Sequence, residues 1–266
     1  LKKKNLIHIN IKSMSKIKIV TVVGTRPEII RLSSIIKKLE TNFKHVLINT
    51  NKNYDKNLNS IFFQNFQIKK PQYKINTKSN TNIETISKII NKVDKILEKE
   101  KPDAFLVLGD TNSCLSSYSA KRRKIPIFHL EAGNRCFDEN VPEEINRKIV
   151  DNISDINLTY SLNSKLNLIN EGFKINTLFE VGSPLSEVIK DNVSKIEKSN
   201  ILKKILIKKK DYIVASIHRE ENVDDEKKLC KIFDILASVI TKTKCKIIFT
   251  LHLSLIHISE PTRLGM

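Results

Sequence analysis

An α/β fold on parallel sheets, in two units of which the second is incomplete, is what this sequence predicts, and three observations predict it. Short β-branched runs alternate with segments of helical period along 266 residues, the pattern of a parallel sheet covered by helices. That length suffices for two ordinary domains, each with a buried core. Only the strand-like runs 212–218 and 246–252 follow a polar stretch at 191–199, too few for a doubly wound sheet of ordinary size.

The first strand is IKIVTVV, 17–23. A GTRPE turn follows, then a helix carrying Ile29, Ile30, Leu32, Ile35, Ile36 and Leu39 on one side, with Pro27 in the first turn, where a missing N–H costs nothing. HVLINT, 45–50, is the next strand. In TNIETISKIINKVDKILEKEK, residues Ile83, Ile86, Ile89, Ile90, Val93, Ile96 and Leu97 recur at steps of three and four, so the segment is an amphipathic helix. FLVLG (105–109), a short helix after DTNS, IPIFHLEA (125–132) and a helix opening at Pro142 come next, followed by strands at 155–161 and 178–182. The stretch 191–199 reads as the linker; a strand at 212–218, a helix at 224–242 and a strand at 246–252 begin the second unit. The expected division is an extension at 1–13 upstream of MSKIKIVTVVG, non-native or disordered, a first domain at 14–190, an incomplete second at 200–252, and a foreign, adapter-derived tail at 253–266, LSLIHISEPTRLGM.

Composition excludes several classes of function. The 47 Lys and Arg outnumber 29 Asp and Glu, a formal charge of +18, but the lysines are scattered and no zinc-finger spacing or RNP-like aromatic run accompanies them, so no nucleic-acid partner is expected. No apolar run approaches the ~20 residues of a membrane helix, and the apolar patch near the start is shorter than a signal-peptide core. The four cysteines form no C-x-x-C pair, which fits reduced thiols and neither a zinc site nor a disulfide framework. A soluble, cytoplasmic protein is the expectation.

Ligands of open parallel sheets bind at the carboxyl ends of strands, which selects the loops Gly24–Glu28, Gly109–Ser113, Glu131–Arg135 and His218–Asn222. GTRPE offers backbone N–H groups and a helix N-terminus to a phosphate, with Arg26 as a bidentate partner; a plain turn glycine beside a surface arginine is the alternative. Asp110 either works in the site or caps the helix that follows it. His129, in mid-strand, reads as a hydrogen-bonded core histidine, and Glu131 shares its face if the strand continues that far. Glu143 and Arg147 stand i, i+4 at a helix start and can pair, while an acidic first turn also suits the helix dipole. That leaves Glu144 unexplained. His218 and Arg219 would anchor a diphosphate.

Taken in order, GTRPEIIRL (24–32), LGDTNSCL (108–115), HLEAGNR (129–135), PEEINR (142–147), VGSP (181–184) and HREEN (218–222) resemble the non-hydrolysing UDP-N-acetylglucosamine 2-epimerase family over about residues 14–252. The stretch EAGNRCFDENVPEEINRKIVD is most similar to the branch acting on UDP-2-acetamido-2,6-dideoxy sugars on the way to N-acetyl-L-fucosamine. The resemblance implies two Rossmann-like domains with parallel sheets facing a cleft, GT-B-like, a homodimer in the full-length form, and inversion at C2 of a UDP-2-acetamido sugar without metal or cofactor. The implied route eliminates UDP to a 2-acetamidoglycal and adds it back after protonation on the other face. By the same resemblance Asp110, Glu131 and Glu143 are the essential carboxylates, His218 a cation able to donate a proton, and Arg26, Arg31, Arg147, Arg219 and His252 groups at the nucleotide. Arg31 replaces a lysine common in the family, keeping the charge but not the hydrogen-bond geometry; the stretch 49–59 lacks the Gln-His pairing of a regulatory sugar site, which puts allosteric activation in doubt; and a later Ser-Gly-Gly nucleotide segment is missing, so an inactive chain is one expectation. A GT-B glycosyltransferase and a non-catalytic nucleotide-sugar binder are the competing readings.

Overall fold

The computed structural model describes residues 17–50, 56–77, 79–216 and 225–250. Its first unit runs β1 (Lys18–Val23), α1 (Arg26–Asn42), β2 (Lys44–Asn49), α2 (Lys56–Asn65), β3 (Tyr73–Lys74), α3 (Asn82–Glu100) and β4 (Ala104–Leu108). A 3-10 turn (Asn112–Ser116), α4 (Ser117–Arg122), β5 (Ile127–Ala132), α5 (Pro142–Ile153), β6 (Ile156–Thr159), α6 (Leu162–Asn170), β7 (Leu178–Glu180) and α7 (Leu185–Glu197) follow. The seven strands pair in the order β3-β2-β1-β4-β5-β6-β7, all parallel. Chain order reverses between β1 and β4, and such a switch point opens a crevice at the strands' carboxyl ends. The GTRPE turn and the Gly109–Ser113 loop leave the sheet there.

Both faces of the sheet are covered at its centre, so β4 is apolar throughout, while the edge strands β3 and β7 stay partly exposed. Along β4, Phe105 and Val107 enter one core with Ile89, Val93 and Leu97 of α3. Leu106 and Leu108 enter the other, with Ile29, Leu32 and Ile36 of α1. Full burial of each such side chain is worth about 1.5–3 kcal/mol. The apolar stripe of α3 is narrower than its sequence suggests: Ile83, beside the Thr81 N-cap, stays 75% exposed. On the α1 side an apolar trough of about 990 Å³, lined by Ile19, Leu106, Phe128 and Leu158, extends to Phe43, Asp103 and Pro126 at the strands' amino ends.

The stretch 191–199, read as a linker, is helical as far as Glu197. Contacts divide the chain inside α7, between Asn192 and Val193. The second unit holds α8 (Ile201–Lys204), β8 (Tyr212–Ser216), α9 (Glu226–Thr243) and β9 (Lys246–Thr250), with β8 and β9 a parallel pair. Asp225 caps α9 by accepting from the Lys227 and Lys228 amides, and Phe233 meets Phe249 edge to face at 5.8 Å. Among the described residues no helix is long and apolar enough to cross a membrane.

Candidate active site

Glu131 stands at the carboxyl end of β5, where strand alternation would aim it, like His129, toward α5. The structure redirects it. Pairing of β5 with β6 shifts between Leu130 and Ala132, and Glu131 adopts φ 69°. A bulge of this kind re-aims a side chain, and a non-glycine residue at positive φ stores about 1–3 kcal/mol of strain. The Glu131 carboxylate turns instead to α1, where Arg31 Nη1 donates to it, and its other oxygen accepts from Asn134 Nδ2 at 3.3 Å.

Gly109 lets this carboxylate come close. At φ +75 it has no Cβ, and one placed there would lie 3.2 Å from Glu131 Oε2. The next residue is Asp110, whose Oδ2 accepts from Arg147 Nε at 2.8 Å and Nη2 at 2.6 Å. Asp110 therefore does not cap the helix after it; Thr111 does, accepting from the Ser113 amide at 3.3 Å. Burial pushes the Glu131 carboxyl above the ordinary carboxylate range; Arg31 opposes this, Asp110 adds to it, and His129 and Arg147 oppose it more weakly. Asp110 and Glu131 thus act on each other across the ends of β4 and β5, each braced by an arginine from a different helix. A carboxyl made harder to ionise by burial, beside one bound to a guanidinium, is the asymmetry that proton transfer in both directions needs.

Arg147 does not pair with Glu143. It bonds Glu144 Oε2 at 2.9 Å, three residues away, and that resolves why two glutamates stand together. Fully buried Glu144 also accepts from the Cys136 and Phe137 amides, fixing the loop between β5 and α5. Those hydrogen bonds and Arg147 hold its carboxyl below the ordinary range although burial acts the other way. Glu143 is exposed on the first turn of α5, one helical turn before Arg147.

The GTRPE turn also departs from expectation. Glu28 Oε2 accepts from the Gly24 amide at 2.8 Å, the Thr25 amide at 2.6 Å and Thr25 Oγ1 at 2.8 Å, while Oε1 accepts from Thr111 Oγ1 at 2.9 Å. These two amides are occupied by a side chain and do not offer themselves to a phosphate. Arg26, half-buried in the first turn of α1, makes no hydrogen bond or ion pair among the described residues and is the cation left over at this end of the sheet. His218, Arg219 and His252 lie outside the described residues. Beside the site, Asn134, Cys136, Arg147, Ser164 and Asn167 line a polar cavity of about 350 Å³. Asn134 lay in the Glu131–Arg135 loop without a role of its own, and Ser164, at the start of α6, had no place in the sequence reading and no local signal to mark it. No cluster of metal-ligating side chains occurs among the described residues.

A family model described as UDP-N-acetylglucosamine 2-epimerase matches residues 37–256. The chain belongs to the UDP-N-acetylglucosamine 2-epimerase family. Within that family it is 38% identical to the UDP-N-acetylglucosamine 2-epimerase of Methanocaldococcus jannaschii over 240 residues, 88% of this chain and 66% of that protein. It is 33% identical to the UDP-2,3-diacetamido-2,3-dideoxy-D-glucuronate 2-epimerase of Pseudomonas aeruginosa, over 84% of this chain and 63% of that one. The solved UDP-N-acetylglucosamine 2-epimerase of Rickettsia bellii superposes with a TM-score of 0.83 at 44% identity, covering 94% of this chain and 65% of that one. The Methanocaldococcus jannaschii enzyme, solved with UDP-GlcNAc and UDP, gives 0.80 at 37% identity, over 89% of this chain and 66% of its own. The chain therefore spans about two-thirds of the length of these epimerase relatives.

Proposed function

We propose that the protein, at the full length of its family, is a UDP-sugar 2-epimerase that inverts C2 of a UDP-2-acetamido sugar by eliminating UDP and adding it back. The C2 hydrogen of such a sugar has no neighbouring carbonyl to acidify it. It becomes removable as the C1–O bond breaks and positive charge grows at the anomeric carbon. One carboxylate takes the C2 proton, UDP leaves with the C1–O electrons, and a protonated carboxyl then delivers a proton to the other face of the glycal as UDP returns. Asp110, Glu131 and Glu143 share this acid and base work; Arg26, Arg31, Arg147, Arg219 and His252 hold the nucleotide, and His218 stabilises or protonates the departing diphosphate. The observation that carries the reading is the bulge at Glu131, which gives up backbone ease to set one carboxylate against Gly109 and Asp110.

The 2-acetamido-2,6-dideoxy branch is the finer form of the same reading, supported by the EAGNRCFDENVPEEINRKIVD stretch. A cytoplasmic location and a homodimer of the full-length form go with it by family resemblance; the exposed Ile83 and Tyr118 on α3 and α4 are apolar surface of the kind a dimer buries. The test is incubation of UDP-N-acetylglucosamine or its 2,6-dideoxy counterpart in D2O, without acceptor, with the protein at its relatives' length. Inversion with one deuterium at C2 is expected, and Glu131→Gln should abolish both. Inversion without deuterium, or undiminished exchange in Glu131→Gln, refutes it.

A further inference from the structure

His129 is completely buried in the middle of β5, and both of its ring nitrogens face acceptors. Nδ1 lies 2.8 Å from Asp151 Oδ1 on α5, and Nε2 lies 2.8 Å from the carbonyl oxygen of Gly109 at the end of β4. A carbonyl oxygen only accepts, and so does an ionised carboxylate, so the ring satisfies both contacts by carrying an N–H at each nitrogen. The other partners of Asp151 also keep it an acceptor. Asp151 also receives Arg135 Nη1 at 2.8 Å and the Gly133 amide at 3.2 Å, and Arg135 forks onto Glu171 at 2.7 and 2.6 Å. The side chains of His129, Asp151 and Arg135 have no exposure, whereas that of Glu171 is one-third exposed, so the buried part of the network is the contact of the ring with Asp151 and Gly109 and the ion pair of Asp151 with Arg135.

We propose that His129 is a standing imidazolium and acts as a positioning residue, clamping the Gly109 carbonyl, and with it Asp110, to the β5 turn that carries Glu131. The groups facing the ring are Asp151 from α5 and the Gly109 carbonyl from β4; Arg135 and Glu171 act on it through Asp151, and Glu131 stands two residues along β5. Its positioning role rests on the reading of Asp110 and Glu131 as the reacting acids, whereas its charge does not.

The test is made on the 266-residue chain labelled with ring 15N at histidine. Long-range 1H–15N correlations are recorded from pH 6 to 9, and the His129 signal is assigned by its loss in His129→Asn. Both His129 nitrogens should sit at the protonated position and stay there across the range. In Asp151→Asn, with the carboxylate partner gone, one ring nitrogen should be bare at pH 7, and in His129→Asn the Glu131 carboxyl 13C titration should move to higher pH. A bare ring nitrogen at pH 7 in the parent chain overturns the proposal by itself, even if neither variant folds. An imidazolium that persists to pH 9 in Asp151→Asn, or an unmoved Glu131, overturns the part assigned to each. These signals need no sugar, so a neutral ring leaves the epimerase reading intact, and a failed epimerase assay leaves the imidazolium intact.

Discussion

Gly133→Ala should be among the most damaging single-methyl additions to the first unit. Gly133 follows the Glu131 bulge at φ +75, and a Cβ built there would lie 2.1 Å from the backbone oxygen of Ser164, 2.9 Å from its carbonyl carbon and 3.0 Å from Leu168 Cγ. Left-handed backbone alone costs an L-residue about 1–2 kcal/mol. The contact with Ser164 cannot relax by a rotamer change, because the obstructing atom belongs to the main chain of α6. Opening it to the ~3.3 Å of a tolerable carbon–oxygen approach requires a shift of about 1 Å. Such a shift breaks the Gly133 amide's bonds to Asp151 at 3.2 and 3.4 Å and the Asn167 Nδ2 bond to the Gly133 carbonyl at 3.0 Å. A buried polar group left unpaired costs about 1–3 kcal/mol. Together these give a loss of about 2–5 kcal/mol, or about 10 °C in Tm for a unit of this size. Thermal unfolding followed by circular dichroism measures it, with Gly172→Ala as the control. Gly172 has φ +89, but no atom stands within 4 Å of the place its added methyl would take, so its substitution carries the backbone strain alone. A Gly133→Ala protein that melts within about 3 °C of Gly172→Ala would refute the close-approach argument.

His45 is 9% exposed, bonded to Thr21 through Nε2 and without a partner at Nδ1 among the described residues, and burial, with a smaller contribution from Lys69, lowers its pKa to about 4. Because the folded value lies below the unfolded value near 6.5, the folded state binds fewer protons in between, and stability present above pH 6.5 is lost as pH falls toward 4, by roughly 3 kcal/mol. Urea unfolding at several pH values should show that slope, and His45→Asn should flatten it. Glu28→Ala frees the Gly24 and Thr25 amides at the end of β1 and should cost about 2–4 kcal/mol in the same assay; a loss under about 1 kcal/mol would mean that water replaces the carboxylate. Arg31→Ala removes a group that draws the raised Glu131 carboxyl downward, so at full family length the rising limb of the pH–rate profile should move to higher pH, and an unmoved limb would show that Glu131 is not the base.

The sheet was legible because both of its faces are buried: runs such as FLVLG and IKIVTVV carry enough β-branched residues to be read without neighbours. Burial against the sheet likewise explains α1 and α3; α5 and α9 were read from helical period, although Ile145, Ile149, Phe233, Ile235 and Ile240 stay exposed. What escaped the reading lacks such a signal. Strand β3 is two residues long, α8 is four, and α2 and α6 are short and polar for most of their length. In the site, Asp110 and Arg147 could be placed by the ends of β4 and the start of α5. The partnership of Glu131 with Arg31 could not, because it depends on one bulged residue, and a shift by one position sends a strand side chain to the opposite face. Nor could Glu144 be distinguished from Glu143 by helical period alone, since both i, i+3 and i, i+4 neighbours reach Arg147.

The most direct measurement on the central claim, that Asp110 and Glu131 converge, is the 13C titration of the Glu131 side-chain carboxyl in the parent chain and in Asp110→Asn. Asp110 raises the Glu131 value across the gap at Gly109, so neutralising it should leave Glu131 titrating above the ordinary carboxylate range but distinctly lower than in the parent. A Glu131 carboxyl that titrates like a free glutamate, or that ignores the loss of the Asp110 charge, would mean that the two acids do not share a site.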